Sequence, residues 1–173
     1  QCIQGLVNLL PTSEEIGGNV IIPGSHKFFE NLPNEYEERL SRLPLDIDHF
    51  RFPNDDPKLS SSKAVMCHME PGDLLLWDSR TIHCSNSGSK LDKETTDLIR
   101  AASLICMMPK NLSSEDILEQ RRDAVEKLIS TTNWTNSFRN ADEFPLILEA
   151  KDRDKYKWPK KPKLSDYQKS LID

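Results

Sequence analysis

At 173 residues, 36% of them apolar, with a mean hydropathy of −0.60, the chain is long enough for one domain with a core and too short for two comfortable ones. Its 28 acidic residues are dispersed and outnumber the 23 basic ones, for a net charge of −5, which argues against nucleic acid as the main partner. No apolar run approaches the roughly 18 residues that a membrane-spanning helix needs, so no membrane span is expected.

Residues 2–10 mix Ile, Leu and Val with Gln and Asn and read as a half-buried strand. The chain opens inside that strand, without an initiator Met or a signal-peptide pattern, so a natural start upstream is expected. "PTSEEIGG" supplies turn residues, and "NVIIPGSH" is a short strand stopped by Pro23 and Gly24. Residues 34–43 read as a short amphipathic helix with Tyr36, Leu40 and Leu43 on one face. Residues 44–62 carry three prolines and a Ser run, a long loop of the kind that serves as a lid or binding loop.

"AVMCHMEPGDLLLW" reads as two strands about a Pro-Gly turn, and "RTIHCS" as another short strand. After a loop over 86–97 comes the apolar strand "LIRAASLICMM", and then a helix within 113–130. Its expected cap is Ser113 with Asp116, and Ile117, Arg121, Ala124, Val125 and Leu128 line one face. In the polar tail, Trp134 and Trp158 are expected to dock, and the Lys-Pro run at 159–163 to stay solvated. Short strands with turn signals and long loops predict a mainly β sandwich or barrel with appended helices.

Cys2, Cys67, Cys84 and Cys106 lack the CxxC spacing of a zinc site and sit in or beside apolar strands. Free thiols in a reducing, intracellular compartment, the cytoplasm, are expected. Arg100 stands out within its apolar strand. A buried guanidinium requires an anion or a dense set of acceptors, and its fork suits a planar carboxylate. An internal ion pair or an outward-facing position would satisfy it equally.

Taken in order, "GGNVIIPGSHK", "MEPGDLLLWDSRTIHCSNSG" and "RAASL" resemble the phytanoyl-CoA dioxygenase family over roughly residues 2–109. The resemblance implies a double-stranded β-helix, of the jelly-roll or cupin-like kind, and an Fe(II)/2-oxoglutarate-dependent hydroxylase. A small-molecule or lipid-like substrate and O2 are its implied partners. It implies that His83 is the distal metal ligand of a two-histidine, one-carboxylate triad, that Arg100 pairs with the far carboxylate of 2-oxoglutarate, and that Ser85 lies beside the same co-substrate. Gln4 either points toward that co-substrate or is an ordinary strand polar residue. Asp78, Arg80 and Asn86 are expected to support the approach to His83. His26 reads as a turn-stabilising histidine near the pocket.

The family's first two ligands form a His-x-Asp or His-x-Glu pair ahead of the strand that opens this chain, and no His-x-Asp occurs here. The chain is therefore expected to be the C-terminal portion of the domain and inactive alone. Its organisation would be a partial oxygenase core at 1–112 and a helix with an extended tail packed on it at 113–173. Two alternatives stand beside this reading. One is a non-catalytic remnant of the fold. The other is a cupin-like metal-binding barrel that uses His68, Glu70 and His83, since i and i+2 on a strand share a face. Asp46, Asp48 and His49 in the long loop read as solvated. The sequence does not predict an oligomeric state or name the substrate, whose selection is expected from the loops at 44–62 and 86–97.

Overall fold

The computed structural model describes residues 2–43, 49–60, 64–89, 98–127, 129, 131, 134–138 and 162–170. The chain divides into two compact units, Gln1–Ile105 and Cys106–Asp173.

The described residues form two three-stranded sheets. In one, β1 (Ile3–Asn8) lies between β4 (Leu74–Asp78) and β6 (Ala102–Met107). In the other, β2 (Gly18–Ile21) lies between β3 (Val65–Met66) and β5 (His83–Asn86). The antiparallel register of β1 and β4 runs from Ile3 opposite Asp78 to Val7 opposite Leu74. Opposed residues share a face and successive ones alternate, so Gln4, Leu6, Leu75 and Trp77 form one face. Ile3, Val7, Leu74 and Leu76 form the other. The first face is the core side, where Cys2 and Leu6 are buried; Ile3, Leu74 and Leu76 on the second are exposed.

The residues read as a hairpin, 64–77, are divided between the two sheets instead. Side chains from the start of the chain hold the crossing segment. Thr12 Oγ1 donates to the Cys67 carbonyl at 2.9 Å and accepts from Met69 N at 3.0 Å. Asn8 Nδ2 donates to the Met69 carbonyl at 3.3 Å. Backbone groups of 67–69 are thus satisfied partly by these side chains and partly by the backbone of Thr12 and Asn19, where a hairpin ladder would have satisfied them. The turn at Pro71 and Gly72, with Gly72 at φ 95°, then starts β4 in the other sheet.

β2 stops at Pro23 and Gly24, as expected, and the chain continues as a 3-10 turn, Ser25–Asn31. The helix expected over 34–43 is two single turns, α1 (Leu32–Glu35) and α2 (Glu37–Leu40), interrupted at Tyr36 with φ −127°. Tyr36 donates its hydroxyl to Asp56 and packs against Phe50 at 5.1 Å and Phe52 at 5.6 Å. Residues 49–60 of the long loop are therefore tied to the helical segment, and Asp56 Oδ1 accepts from Lys58 N at the start of α3 (Pro57–Ser60). Asp46 and Asp48 lie outside the described residues; His49 is exposed.

β6 begins at Ala102, so Arg100 precedes the strand rather than lying within it. In the second unit, α4 (Glu115–Glu126) is capped by Ser114, whose hydroxyl accepts from Ile117 N, one residue beyond the expected cap. Ser113 donates to the Thr135 carbonyl instead. Leu118 and Ala124 are buried, with Ile117, Arg121 and Val125 half-buried beside them. Arg121 donates to the carbonyls of Trp134 and Ser137 at 3.1 Å each, and burial pushes its pKa down. α5 spans Asp166–Ser170. Leu128 and Trp158 lie outside the described residues.

None of the four cysteines forms a disulfide. Cys2 is buried and Cys67 and Cys106 half-buried, but Cys84 is exposed on β5, against the expectation that each would pack as a small hydrophobe. Among the described residues, no helix is long and apolar enough to cross a membrane.

Candidate active site

β5 starts at His83, and three short contacts place it. Ser25 of the Pro-Gly-Ser-His turn is 1% exposed, and its hydroxyl accepts from Ile82 N at 2.8 Å. Ile22 N donates to the Ile82 carbonyl at 2.9 Å, so the residue before His83 is fixed from both sides. His83 Nδ1 lies 2.7 Å from the Thr81 carbonyl oxygen. A carbonyl only accepts, so Nδ1 carries the proton and Nε2 presents its lone pair. That is the tautomer a metal-binding imidazole takes when its second nitrogen is held by a backbone carbonyl.

The imidazole is exposed and lies against Trp77, ring centroids 5.2 Å apart and tilted by 55°. Trp77 comes from the core face of the other sheet, so this contact joins the two sheets at the histidine. Trp77 Nε1 donates to Gln4 Oε1 at 3.2 Å. Gln4, directly opposite Trp77 in the β1–β4 ladder, is thus brought to the same side as His83, with its amide oxygen engaged by the indole.

Arg100 is half-buried, and its Nη1 donates to the Asn86 carbonyl at 3.4 Å. Asn86 is the last residue of β5, about 10 Å along the strand from His83 at the usual rise per residue. Its side chain accepts from Gly88 N at 2.8 Å, which turns the chain out of β5. This turn packs on the Gly17–Gly18 corner: Gly17 has φ 97° and Gly88 φ 79°, and a Cβ at either would collide with the backbone of the other segment. Ser85 is exposed, two residues beyond His83 on the same face.

Asp78 and Arg80 form the local ion pair expected of them, Oδ1 with Nε at 2.9 Å and Oδ2 with Nη2 at 2.6 Å. The Arg80 hydrogen bonds hold the Asp78 carboxyl down at about 2, and the charge of His26 acts in the same direction. His26, half-buried in the turn that carries Ser25, therefore lies within electrostatic reach of that pair. His68 Nε2 pairs with Glu14 Oε1 at 2.9 Å, and Glu70 is exposed at the Pro-Gly turn. Among the described residues, no three His, Cys, Asp or Glu gather into a set able to hold a metal ion, so His68, Glu70 and His83 do not converge.

Sequence reasoning singled out His83, Ser85, Arg100 and Gln4 and missed what orients them: Ser25, Thr81 and the indole of Trp77. The one signal for Ser25 is its place in the Pro-Gly-Ser-His turn.

The profile that matches residues 1–90, more than half of the chain, is that of phytanoyl-CoA dioxygenase. The chain belongs to the phytanoyl-CoA dioxygenase family. This phytanoyl-CoA dioxygenase homologue is 34% identical over 144 residues to the Ava biosynthesis cluster protein O of Aspergillus versicolor, a match covering 76% of this chain and 43% of that protein. The chain thus spans less than half the length of this curated relative. No solved structure matches it.

Proposed function

We propose that this chain is the His83–Arg100 portion of an Fe(II)/2-oxoglutarate-dependent dioxygenase that hydroxylates a small-molecule or lipid-like substrate. Residues 1–112 are then its catalytic core, as part of a double-stranded β-helix. The observation that carries the reading is the pairing of an Nε2-open histidine, its Nδ1 held by Thr81, with an arginine anchored at the far end of the same short strand. Family membership supports the same chemistry, since these enzymes generally depend on iron and 2-oxoglutarate.

The donor set fits one metal position and one carboxylate. His83 Nε2 is a borderline-soft donor suited to Fe(II), and the guanidinium holds the far carboxylate of the oxo acid by two hydrogen bonds. Ser85, between them on β5, adds a hydroxyl donor. Gln4 and Trp77 border the histidine from the facing sheet; the indole shields one side of the imidazole from water and limits its rotation. The remaining two ligands, which the family supplies as a His-x-Asp or His-x-Glu pair, come from outside the described set in this reading. When bound, iron and 2-oxoglutarate supply the oxidation itself: O2 and the oxo acid yield succinate, CO2 and a hydroxylated substrate. The reading is tested by succinate formation from 2-oxoglutarate by the full-length protein with Fe(II), O2 and ascorbate. Turnover is expected with a fitting substrate; no succinate across a broad panel, together with no binding of 2-oxoglutarate, would sink it.

One observation favours a second reading. Among the described residues His83 gathers no further metal-capable side chains about it, and a single imidazole does not hold Fe(II) firmly. If the whole protein lacks the partner pair, the fold is a non-catalytic ligand-binding form. Metal content after anaerobic reconstitution separates the two: about one Fe(II) per chain for the oxygenase, none for the remnant.

A further inference from the structure

We propose that Asn19 binds the co-substrate: its buried side-chain amide donates a hydrogen bond to the oxo acid held between His83 and Arg100. The inference rests on the oxygenase reading above and adds a residue to its binding site.

Asn19 sits in the middle of β2, beside Val20, Ile21 and Ile22. It is 6% exposed, and its side-chain Nδ2 has no hydrogen-bond partner among the described residues. Its backbone carbonyl already accepts from Cys67 N at 2.9 Å. An amide donor left unpaired away from water is costly, and native structures leave few such groups unless something outside the chain completes them. A leucine would fill the same volume without that cost, so folding alone does not account for an asparagine here.

The register says what the amide faces. Asn19 is directly opposite Ser85, and Ile21 directly opposite His83. Opposed and alternate residues share a face, so the Asn19 amide stands in the same row as the Ser85 hydroxyl and the His83 ring. The Cβ atoms of such an opposed pair lie about 5 Å apart. The next residue of β5, Asn86, receives Arg100 on its carbonyl. In this reading a short diacid running from His83 toward the end of β5 where Arg100 is anchored passes over the Asn19–Ser85 row. Amide, hydroxyl and guanidinium all present hydrogen-bond donors there, which selects an acceptor-only anion: a carboxylate rather than an alcohol or an amine.

The test is calorimetric titration of the full-length protein with 2-oxoglutarate, Co(II) standing in for iron, in the wild type, Asn19→Leu and Arg100→Ala. Asn19→Leu is expected to weaken 2-oxoglutarate binding about ten- to a hundredfold. Its unliganded melting temperature is expected to equal or exceed the wild type's, because the orphan amide is gone. A residue with a purely structural role would lower it. Unchanged affinity in Asn19→Leu, with binding lost in Arg100→Ala, overturns the inference and leaves the oxygenase reading standing. A wild type that binds no 2-oxoglutarate overturns both. Should the Asn19→Leu variant not fold, the wild type answers by NMR: the Asn19 side-chain amide resonances are expected to move on saturation with 2-oxoglutarate, and resonances that stay fixed refute the assignment.

Discussion

His83, the proposed metal ligand, shows how much of a side chain's placement is decided by groups that do no chemistry. Its tautomer follows from the Thr81 carbonyl, its backbone position from the Ser25 hydroxyl on Ile82, and its ring orientation from Trp77. The proposed pair, His83 and Arg100, stands out in the sequence, because an imidazole at a strand end and a guanidinium among apolar residues are chemical outliers. Ser25, Thr81 and Trp77 act across 57 residues, 2 residues and a sheet-to-sheet contact, and no local pattern in the sequence encodes such pairings. Asp78 gives a residue-scale prediction. Its carboxyl sits at about 2 when folded, chiefly through the Arg80 hydrogen bonds, against about 3.9 in an unfolded chain. Because the folded pKa is the lower one, the stabilisation is fully present above about pH 4 and is lost as pH falls through about 2. Melting temperature should therefore decline over that window in the wild type and decline less in Asp78→Asn, measured by circular dichroism. Parallel curves would remove Asp78 as a cause.

At the scale of elements, the alternation of β1 and β4 gives each a buried and an open side. Leu6 is 3% exposed on the core face and Leu74 is 55% exposed on the other. Leu6→Ala is expected to cost about 2–5 kcal/mol through lost burial and a cavity, and Leu74→Ala under about 1 kcal/mol. Urea denaturation compares them; equal losses would contradict the assignment of faces. Strand existence was readable from this alternation, and so were the stops at Pro23–Gly24 and Pro71–Gly72. Pairing was not. The Pro-Gly turn at 71–72 looks like a hairpin turn, yet Thr12 and Asn8 hold the preceding residues in a crossing between sheets. The two turns over 32–40 likewise depart from the single amphipathic helix because Tyr36 is drawn to Asp56, Phe50 and Phe52. Both departures come from contacts between segments far apart in sequence, which periodicity does not register. The cap of α4 fell one residue late for a smaller reason. Ser113 and Ser114 are chemically identical, and the Thr135 carbonyl draws Ser113 away.

Over the whole molecule, the family match covers residues 1–90 and the chain covers 43% of its fungal relative, so the activity of the complete protein is a proposal built on half of a site. That half makes a specific claim: His83 and Arg100 serve opposite ends of one ligand. The claim separates two ligands that share a 2-oxo acid head and differ in the far carboxylate. Binding of 2-oxoglutarate and of pyruvate, each measured with Co(II) in wild type, His83→Ala and Arg100→Ala, tests it most directly. The account predicts that His83→Ala abolishes metal-dependent binding of both, while Arg100→Ala weakens 2-oxoglutarate by about a hundredfold and leaves pyruvate nearly unchanged. Equal losses of pyruvate and 2-oxoglutarate in Arg100→Ala, or binding indifferent to His83, would contradict it.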